Sequence, residues 1–318
     1  ALLAYSRLSK LADQLVDEVI RRRARLVLTV DAKGFSLRFA QRLRRRMAEQ
    51  GWSAPIVHVV APTVWAWGRW RAKKFAEAMD GLLCLFPFEP DYFKPYGLDA
   101  QFIGHPEAFV SMLEMEGNIK SGHEPKTVLL LPGSRLSEIE LILPDMLEAV
   151  RLLKQKDMNL RFILPTVPHL KARIMNLVGD LEIDVRENKG DLRQIFCAAN
   201  AMMAASGTIT LQTALYGIPG VTCYRTGALS AAIGRLLVNF DNVILPNKLL
   251  GQQLYPFLFQ GNVKGSALCD AVLEVLNDDK AVKDASSAAI DLRKMLTGKK
   301  TKFEDLVSPV LRKWLGQH

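Results

Sequence analysis

Short apolar runs of strand length alternate with helical stretches twice along this chain, with a break between the two series. In the first series, residues 25–30, 56–60 and 82–86 read as strands, and residues 35–47 as a basic amphipathic helix. Ahead of them Leu8, Leu11, Leu15, Val16, Val19 and Ile20 recur at helical spacing. Residues 105–125, with Gly104 just ahead and Gly117 and Gly122 within, form a polar segment without strand character, which reads as a linker. The alternation then resumes with strands at 127–131, 161–164, 182–185, 201–204 and 220–223, and helices at 138–154, 170–178, 191–198 and 208–216. The tail is helical from residue 266, and residues 303–314 form the last element. A strand that must cross over a helix before pairing again makes a parallel sheet covered on both faces. The expected fold is therefore α/β, with two Rossmann-like parallel-sheet domains. Expected boundaries are 1–122 for a partial first domain, 123–298 for the second, and 299–318 for a carboxy-terminal helix packing back on the first.

At 318 residues the chain can bury two cores, and 49% hydrophobic with 24% charged residues is a globular composition. The longest purely aliphatic run, residues 128–131, is far short of the ~18 apolar residues of a membrane span. No charged-then-apolar secretory leader follows Ala1. Cys84, Cys197, Cys223 and Cys269 lack metal-ligand spacing and sit in apolar context, which points to buried thiols in a reducing compartment. Forty-two basic against 33 acidic residues leave +9. Nucleic acid, an anionic membrane and phosphate-bearing substrates all suit such a charge. It is concentrated early, in Arg21–Arg23, in Arg42 with Arg44–Arg46, and in Arg69, Arg71, Lys73 and Lys74. Solvated helix ends would explain such clusters. Interleaving with Trp65, Trp67 and Trp70 favours an anionic lipid surface, where amphipathic rings and basic heads sit together, over nucleic acid.

Asp31 directly follows the first strand, at the carboxyl edge where open α/β sheets place their sites; it could equally cap the next helix. Pro132-Gly133-Ser134-Arg135 lies between a buried strand and a helix, so backbone amides and a fixed charge can meet an anion. Ser206-Gly207-Thr208 repeats that setting after the strand at 201–204. Tyr224 and Arg225 close the strand at 220–223, and His105 before Pro106 reads as a structural pin. The sequence has no Asp-x-Asp triplet and no His/Asp ligand cluster, so a reaction without metal or cofactor is expected.

Three segments in fixed order carry the strongest signal: Pro62-Thr63-Val64-Trp65-Ala66-Trp67, Phe86-Pro87-Phe88-Glu89 and Phe102-Ile103-Gly104-His105-Pro106. Leu131-Pro132-Gly133-Ser134-Arg135, Ala205-Ser206-Gly207-Thr208, Tyr224-Arg225 and Leu245-Pro246-Asn247 follow. Together, from about Leu8 to Gln260, they resemble lipid-A-disaccharide synthases, inverting glycosyltransferases of the two-Rossmann-domain GT-B class. That resemblance implies two domains facing a cleft, with nucleotide on the second and acceptor on the first. It implies Asp31 as catalytic base, and Ser134, Arg135, Ser206, Gly207, Thr208, Gln212, Tyr224, Arg225 and Asn247 at the UDP or substrate site. Trp65, Trp67, Arg69, Trp70, Arg71, Lys73 and Lys74 would face the membrane.

The expected partners are UDP-diacylglucosamine, diacylglucosamine 1-phosphate and an anionic membrane surface, with no nucleic acid and a homodimer left open. The expected location is the cytoplasmic face of a Gram-negative inner membrane. Departures from the family pattern also stand out. Lys33-Gly34-Phe35-Ser36 follow Ala32 where the family has Pro-Asp-Phe-Asn, and Gln212, Gln252, Gln253 and Phe257 stand at positions usually charged. The family begins earlier, with a glycine-rich acidic loop, so about two βα units are expected to be missing and these 318 residues to have little or no synthase activity. A degenerate binding homologue, and an enzyme on another UDP-sugar such as an epimerase or a peptidoglycan glycosyltransferase, are the alternatives.

Overall fold

The computed structural model describes residues 2–66, 68–109, 125–188, 192–227 and 243–316. The chain divides into two compact units, Ala1–Phe109 with Lys294–His318, and Val110–Arg293. The first contains α1 (Leu2–Arg22), β1 (Val27–Val30), α2 (Lys33–Glu49), β2 (Ile56–Val59), α3 (Arg71–Ala78), β3 (Gly81–Cys84) and β4 (Asp99–Phe102). The second opens with β5 (Thr127–Leu131), α4 (Leu136–Lys156), β6 (Arg161–Thr166), α5 (Lys171–Val178), β7 (Asp184–Glu187) and α6 (Arg193–Ala198). It continues with β8 (Ala201–Ala205), α7 (Thr208–Leu215), β9 (Gly220–Tyr224), α8 (Leu245–Leu250), β10 (Phe257–Phe259) and α9 (Gly265–Asn277). The division falls near the end of α10 (Asp279–Thr297), and α11 (Glu304–Trp314) belongs to the first unit.

Both sheets are parallel. The first runs β1-β2-β3-β4, with Val27 opposite Ile56 and Gly81 opposite Asp99. The second runs β10-β9-β8-β5-β6-β7, with β5 and β8 in its interior. Those two strands, Thr-Val-Leu-Leu-Leu and Ala-Met-Met-Ala-Ala, are buried at every position. A strand buried on both faces has no polar side to alternate, so it reads as a continuous apolar run. Against one side pack Ile139, Ile142, Leu143 and Met146 of α4 with Leu268 and Val272 of α9.

In the first unit Phe39, Leu43 and Met47 of α2 and Phe75 of α3 cover Ile56 and Leu82. Val57, Leu83 and Ile103 meet Phe303, Val307, Val310, Leu311 and Trp314, so α11 and the residue before it supply much of that cover.

The elements the sequence left unassigned are short: β4, β10, α3 and α8 have too few residues for a period to show. The strand expected at 182–185 sits two residues later, at Asp184–Glu187. It is an edge strand with three exposed residues, so no buried face fixes its register from the sequence.

Gly104 leaves β4 at φ +79°, and a Cβ there would lie 2.8 Å from both the Leu296 carbonyl and a Leu306 methyl. The same exit is held by His105 N–H donating to Leu296 O at 2.9 Å. Gly104→Ala is expected to destabilise the first unit by about 2 kcal/mol or more, from left-handed strain plus the clash, read by denaturant unfolding of the full chain.

Candidate functional site

Because every strand is parallel, each sheet gathers its strand exits along one edge, and the residues with chemistry collect there. In the second unit the exits of β5, β6, β7 and β8 enclose a cavity of about 440 Å³. Gly133, Ser134, Arg135 and Glu138 line it from one turn, Ser206, Gly207 and Thr208 from another, with Thr166, Val167 and Asn188 between them. Two turns placed far apart in sequence thus face one space. Thr166 and Asn188, at the ends of β6 and β7, were missed by sequence reasoning. Only their position at strand exits could have signalled them.

The first turn carries its own counter-charge. Glu138 Oε2 accepts the Ser134 and Arg135 amides at 3.2 and 3.3 Å, and Oε1 accepts Arg135 Nη1 at 2.9 Å. This capping box orients Arg135 at the start of α4, and the arginine side chain remains 78% exposed. The two amides expected to await an anion are therefore already bonded to a carboxylate, a partner three residues on that the sequence reading did not weigh. Gly133, at φ +111°, is required because a side chain there would enter the space of that carboxylate. Around the second turn, among the described residues, no atom beyond the chain neighbours approaches the place of a Cβ on Gly207 within 4 Å, so a ligand can come close to its backbone.

The other expected contacts of this unit have partners of their own. Arg225 pairs with Asp145, donates to the Val263 carbonyl and lies 3.4 Å from the Leu141 and Gln260 carbonyls. Its guanidinium thus fastens the end of β9 to α4 and to the segment after β10. Asn247 clamps a loop: Oδ1 accepts the Leu254 and Tyr255 amides at 3.0 Å, and Nδ2 donates to Tyr255 O at 2.9 Å. Gln212, half-buried on α7, and Tyr224, at the end of β9, are outside the residues lining the cavity.

In the first unit Asp31 stands at the exit of β1 with φ +48°, followed by Ala32 at +42°. Left-handed backbone is costly for alanine and for aspartate, and Ser36 Oγ holds the Asp31 carbonyl at 2.8 Å. The capping alternative fails, because the cap of α2 is Ala32 and no side chain bonds there. The exposed Asp31 carboxylate instead has Lys33 Nζ 3.8 Å away. Beside this exit His58 is buried on β2, with Nδ1 2.7 Å from Thr29 Oγ1 and its ring edge-on to Phe75. Burial, then the charge of Lys33, lowers its pKa to about 4. Burial does the same for His105, which stacks on Phe86 and stays neutral.

The basic clusters are largely engaged locally. Arg21 and Arg22 pair with Glu18, Arg42 with Asp13, Arg44 with Asp80 and Arg46 with Asp17. Arg69 lies over Tyr92 and Lys74 over Trp70, at 5.1 and 5.3 Å, while Arg71 reaches the Thr63 carbonyl. Trp70 is exposed, as a membrane contact requires, and Lys73 beside it is exposed too. Trp65 corrects the expectation: it is only 8% exposed and packs edge-on against Phe88, because its ring completes the core at the β2 exit. Trp67 lies outside the described residues. The four cysteines are free, Cys84, Cys223 and Cys269 being buried and Cys197 half-buried. Among the described residues no three His, Cys, Asp or Glu side chains gather as a metal site, and no helix is long and apolar enough to cross a membrane.

Two parallel-sheet units, with glycine-bearing turns at the strand exits, define the GT-B fold shared by glycosyltransferases and nucleotide-sugar epimerases. Solved structures agree: S. aureus MnaA with UDP superposes at a TM-score of 0.69 over 99% of this chain and 82% of that one, at 13% identity. The Neisseria meningitidis UDP-GlcNAc 2-epimerase bound to UDP-GlcNAc gives 0.64 over 96% and 81%, at 10% identity. At such identities the likeness is one of fold.

Sequence comparison narrows this further. The family described as lipid-A-disaccharide synthetase matches residues 1–307. The lipid-A-disaccharide synthase of Rhodospirillum centenum is 35% identical over 296 residues, covering 91% of this chain and 73% of that protein. That of Anaeromyxobacter sp. strain K is 34% identical over 281 residues, covering 85% and 70%. The chain belongs to the lipid-A-disaccharide synthase family, a family of glycosyltransferases.

Buried His58 and half-buried His105 set a pH dependence. Each binds a proton near pH 6.5 when unfolded but only near pH 4 when folded, so their stabilisation is present above 6.5 and lost as pH falls toward 4. Each is expected to contribute on the order of 3 kcal/mol across that window, and His105→Phe, which keeps a ring against Phe86, should flatten the acid limb of the stability curve.

Proposed function

We propose that this chain transfers 2,3-diacylglucosamine from UDP to 2,3-diacylglucosamine 1-phosphate, forming the β-1,6-linked lipid A disaccharide and UDP. The observation that carries the reading is the single cavity onto which the Gly133–Arg135 and Ser206–Thr208 turns both open. An exposed guanidinium, a helix start and unobstructed glycine backbone are what a nucleoside diphosphate needs. The relatives' shared name, and UDP or UDP-sugar in the related folds, agree with that ligand.

Chemically, Asp31 takes the proton of the acceptor hydroxyl as its oxygen attacks the anomeric carbon of the donor. The bond from that carbon to the diphosphate breaks, the electron pair leaves with UDP, and the configuration inverts. Lys33 Nζ lies 3.8 Å from the Asp31 carboxylate, and Arg135 with backbone dipoles neutralises the departing diphosphate without a metal. UDP affinity is expected to weaken about 10–100-fold in Arg135→Ala, the loss of one charge-assisted phosphate contact, by titration calorimetry of the full chain. Asp31→Asn should lower transfer about 10²–10⁴-fold and leave that affinity unchanged.

The acyl chains of both proposed substrates support a peripheral position on the cytoplasmic face of the inner membrane. Exposed Trp70 with Lys73 and Lys74 supports this, as do Leu8, Leu11 and Leu15, which are 41–49% exposed at helical spacing beside Arg7 and Lys10. Sedimentation with anionic vesicles is expected to fall steeply as salt passes about 0.1 M, and replacing Arg69, Arg71, Lys73 and Lys74 by glutamine should mimic that fall. Salt-independent binding would rule out the electrostatic part of this reading.

A further inference from the structure

The three segments with the strongest sequence signal meet at the carboxyl edge of the first sheet, where a row of rings joins them. Trp65, after β2, stands edge-on to Phe88 at 5.6 Å between centroids. Phe88 stacks with Phe86 at 5.8 Å, both after β3, and Phe86 stacks with His105, after β4, at 5.5 Å. One carboxylate serves the row. Glu89 is 2% exposed, and its Oε2 accepts the Leu85 and Phe86 amides, each at 3.1 Å. The Trp65 indole lies near enough to this carboxyl group to favour its charged form.

Burial holds the Glu89 proton up to about 7, against the opposing pull of the Phe86 amide, the Trp65 indole, the Leu85 amide and the Lys33 charge. Lys33 is the ammonium beside Asp31, and its charge also bears on His58. The remaining titratable neighbour is the Cys84 thiol, pushed up by burial and then by the Glu89 charge. A carboxylate this deep is costly unless hydrogen-bonded, and both of its amide bonds hold the β3 exit, whose Phe88 ring meets Trp65 of the β2 exit.

We propose that Glu89 is a positioning residue for the acceptor half of the reaction: it fixes the exit of β3, and through the Phe86 and Phe88 rings those of β2 and β4, into one rigid edge shared with Asp31 and Lys33. What is positioned rests on the transferase reading; the tie itself does not. The ionised carboxylate accepts its two amide N–H bonds and attracts the Trp65 indole more strongly than the protonated one, so the edge tightens as Glu89 loses its proton.

The test uses the full chain as wild type, Glu89→Gln and Trp65→Phe. Tryptophan fluorescence and near-UV circular dichroism are titrated from about pH 5 to about pH 9, a window spanning the Glu89 transition. Wild type should show a transition centred near 7, absent from both variants. Affinity for 2,3-diacylglucosamine 1-phosphate in mixed micelles should rise about fivefold through that transition in wild type. In Glu89→Gln it should stay low and independent of pH, while UDP affinity is untouched. A surviving transition in Glu89→Gln, or acceptor binding with wild-type strength and pH profile, overturns the proposal. If wild type binds no UDP, the transferase reading fails, and the optical titration still decides the tie. If Glu89→Gln does not fold, Trp65→Phe decides it alone.

Discussion

Parallel pairing is the constraint on which the rest of this molecule depends. A parallel ladder forces each strand to leave the sheet at the same edge and return by a helix on one face. The strands must then be apolar on both sides, as β5 and β8 are at every position. The loops, freed from core packing, carry the polar chemistry. The cavity of the second unit and the Asp31 edge of the first are both products of that geometry.

Charge in this protein is mostly committed to nearby partners. Glu138 occupies the amides of the Gly133–Arg135 turn and holds the arginine that is left to meet solvent. Arg225 and Asn247 fasten loops to carbonyls and amides. Several arginines of the early clusters face an acidic side chain one helical turn away or on a neighbouring helix. An ion pair at an exposed site adds little stability, but it fixes where a long side chain points. The net charge of +9 therefore overstates the positive surface available to an outside partner.

The ionisable groups taken out of water in the first unit are each held toward their neutral forms. Glu89 is destabilised in its charged form, His58 and His105 in theirs, all chiefly because they are taken out of water. Such groups are expensive to keep, and here they cluster at the edge bearing Asp31 rather than through the core. Backbone strain falls at the same edge: Asp31, Ala32 and Val60 all adopt positive φ, Val60 at +77° despite its branched side chain.

Much of the architecture was legible in the sequence because burial on two faces writes an uninterrupted apolar run, as in residues 127–131 and 201–204. The turn after the first run was legible too, since Gly133 combines a positive φ with the close approach of Glu138, and few other residue types serve there. Short edge strands such as β4 and β10 were not, having too few residues to show a period. Local sequence fixes what a segment can become and which residue types stand at its ends. Only the tertiary structure decided that Trp65 turns inward onto Phe88, that Glu138 fills its own loop, and that Arg225 reaches Asp145, 80 residues away. Each of those outcomes is a choice between water and a partner. Which partner is near is set by strand order, a property that no segment carries by itself.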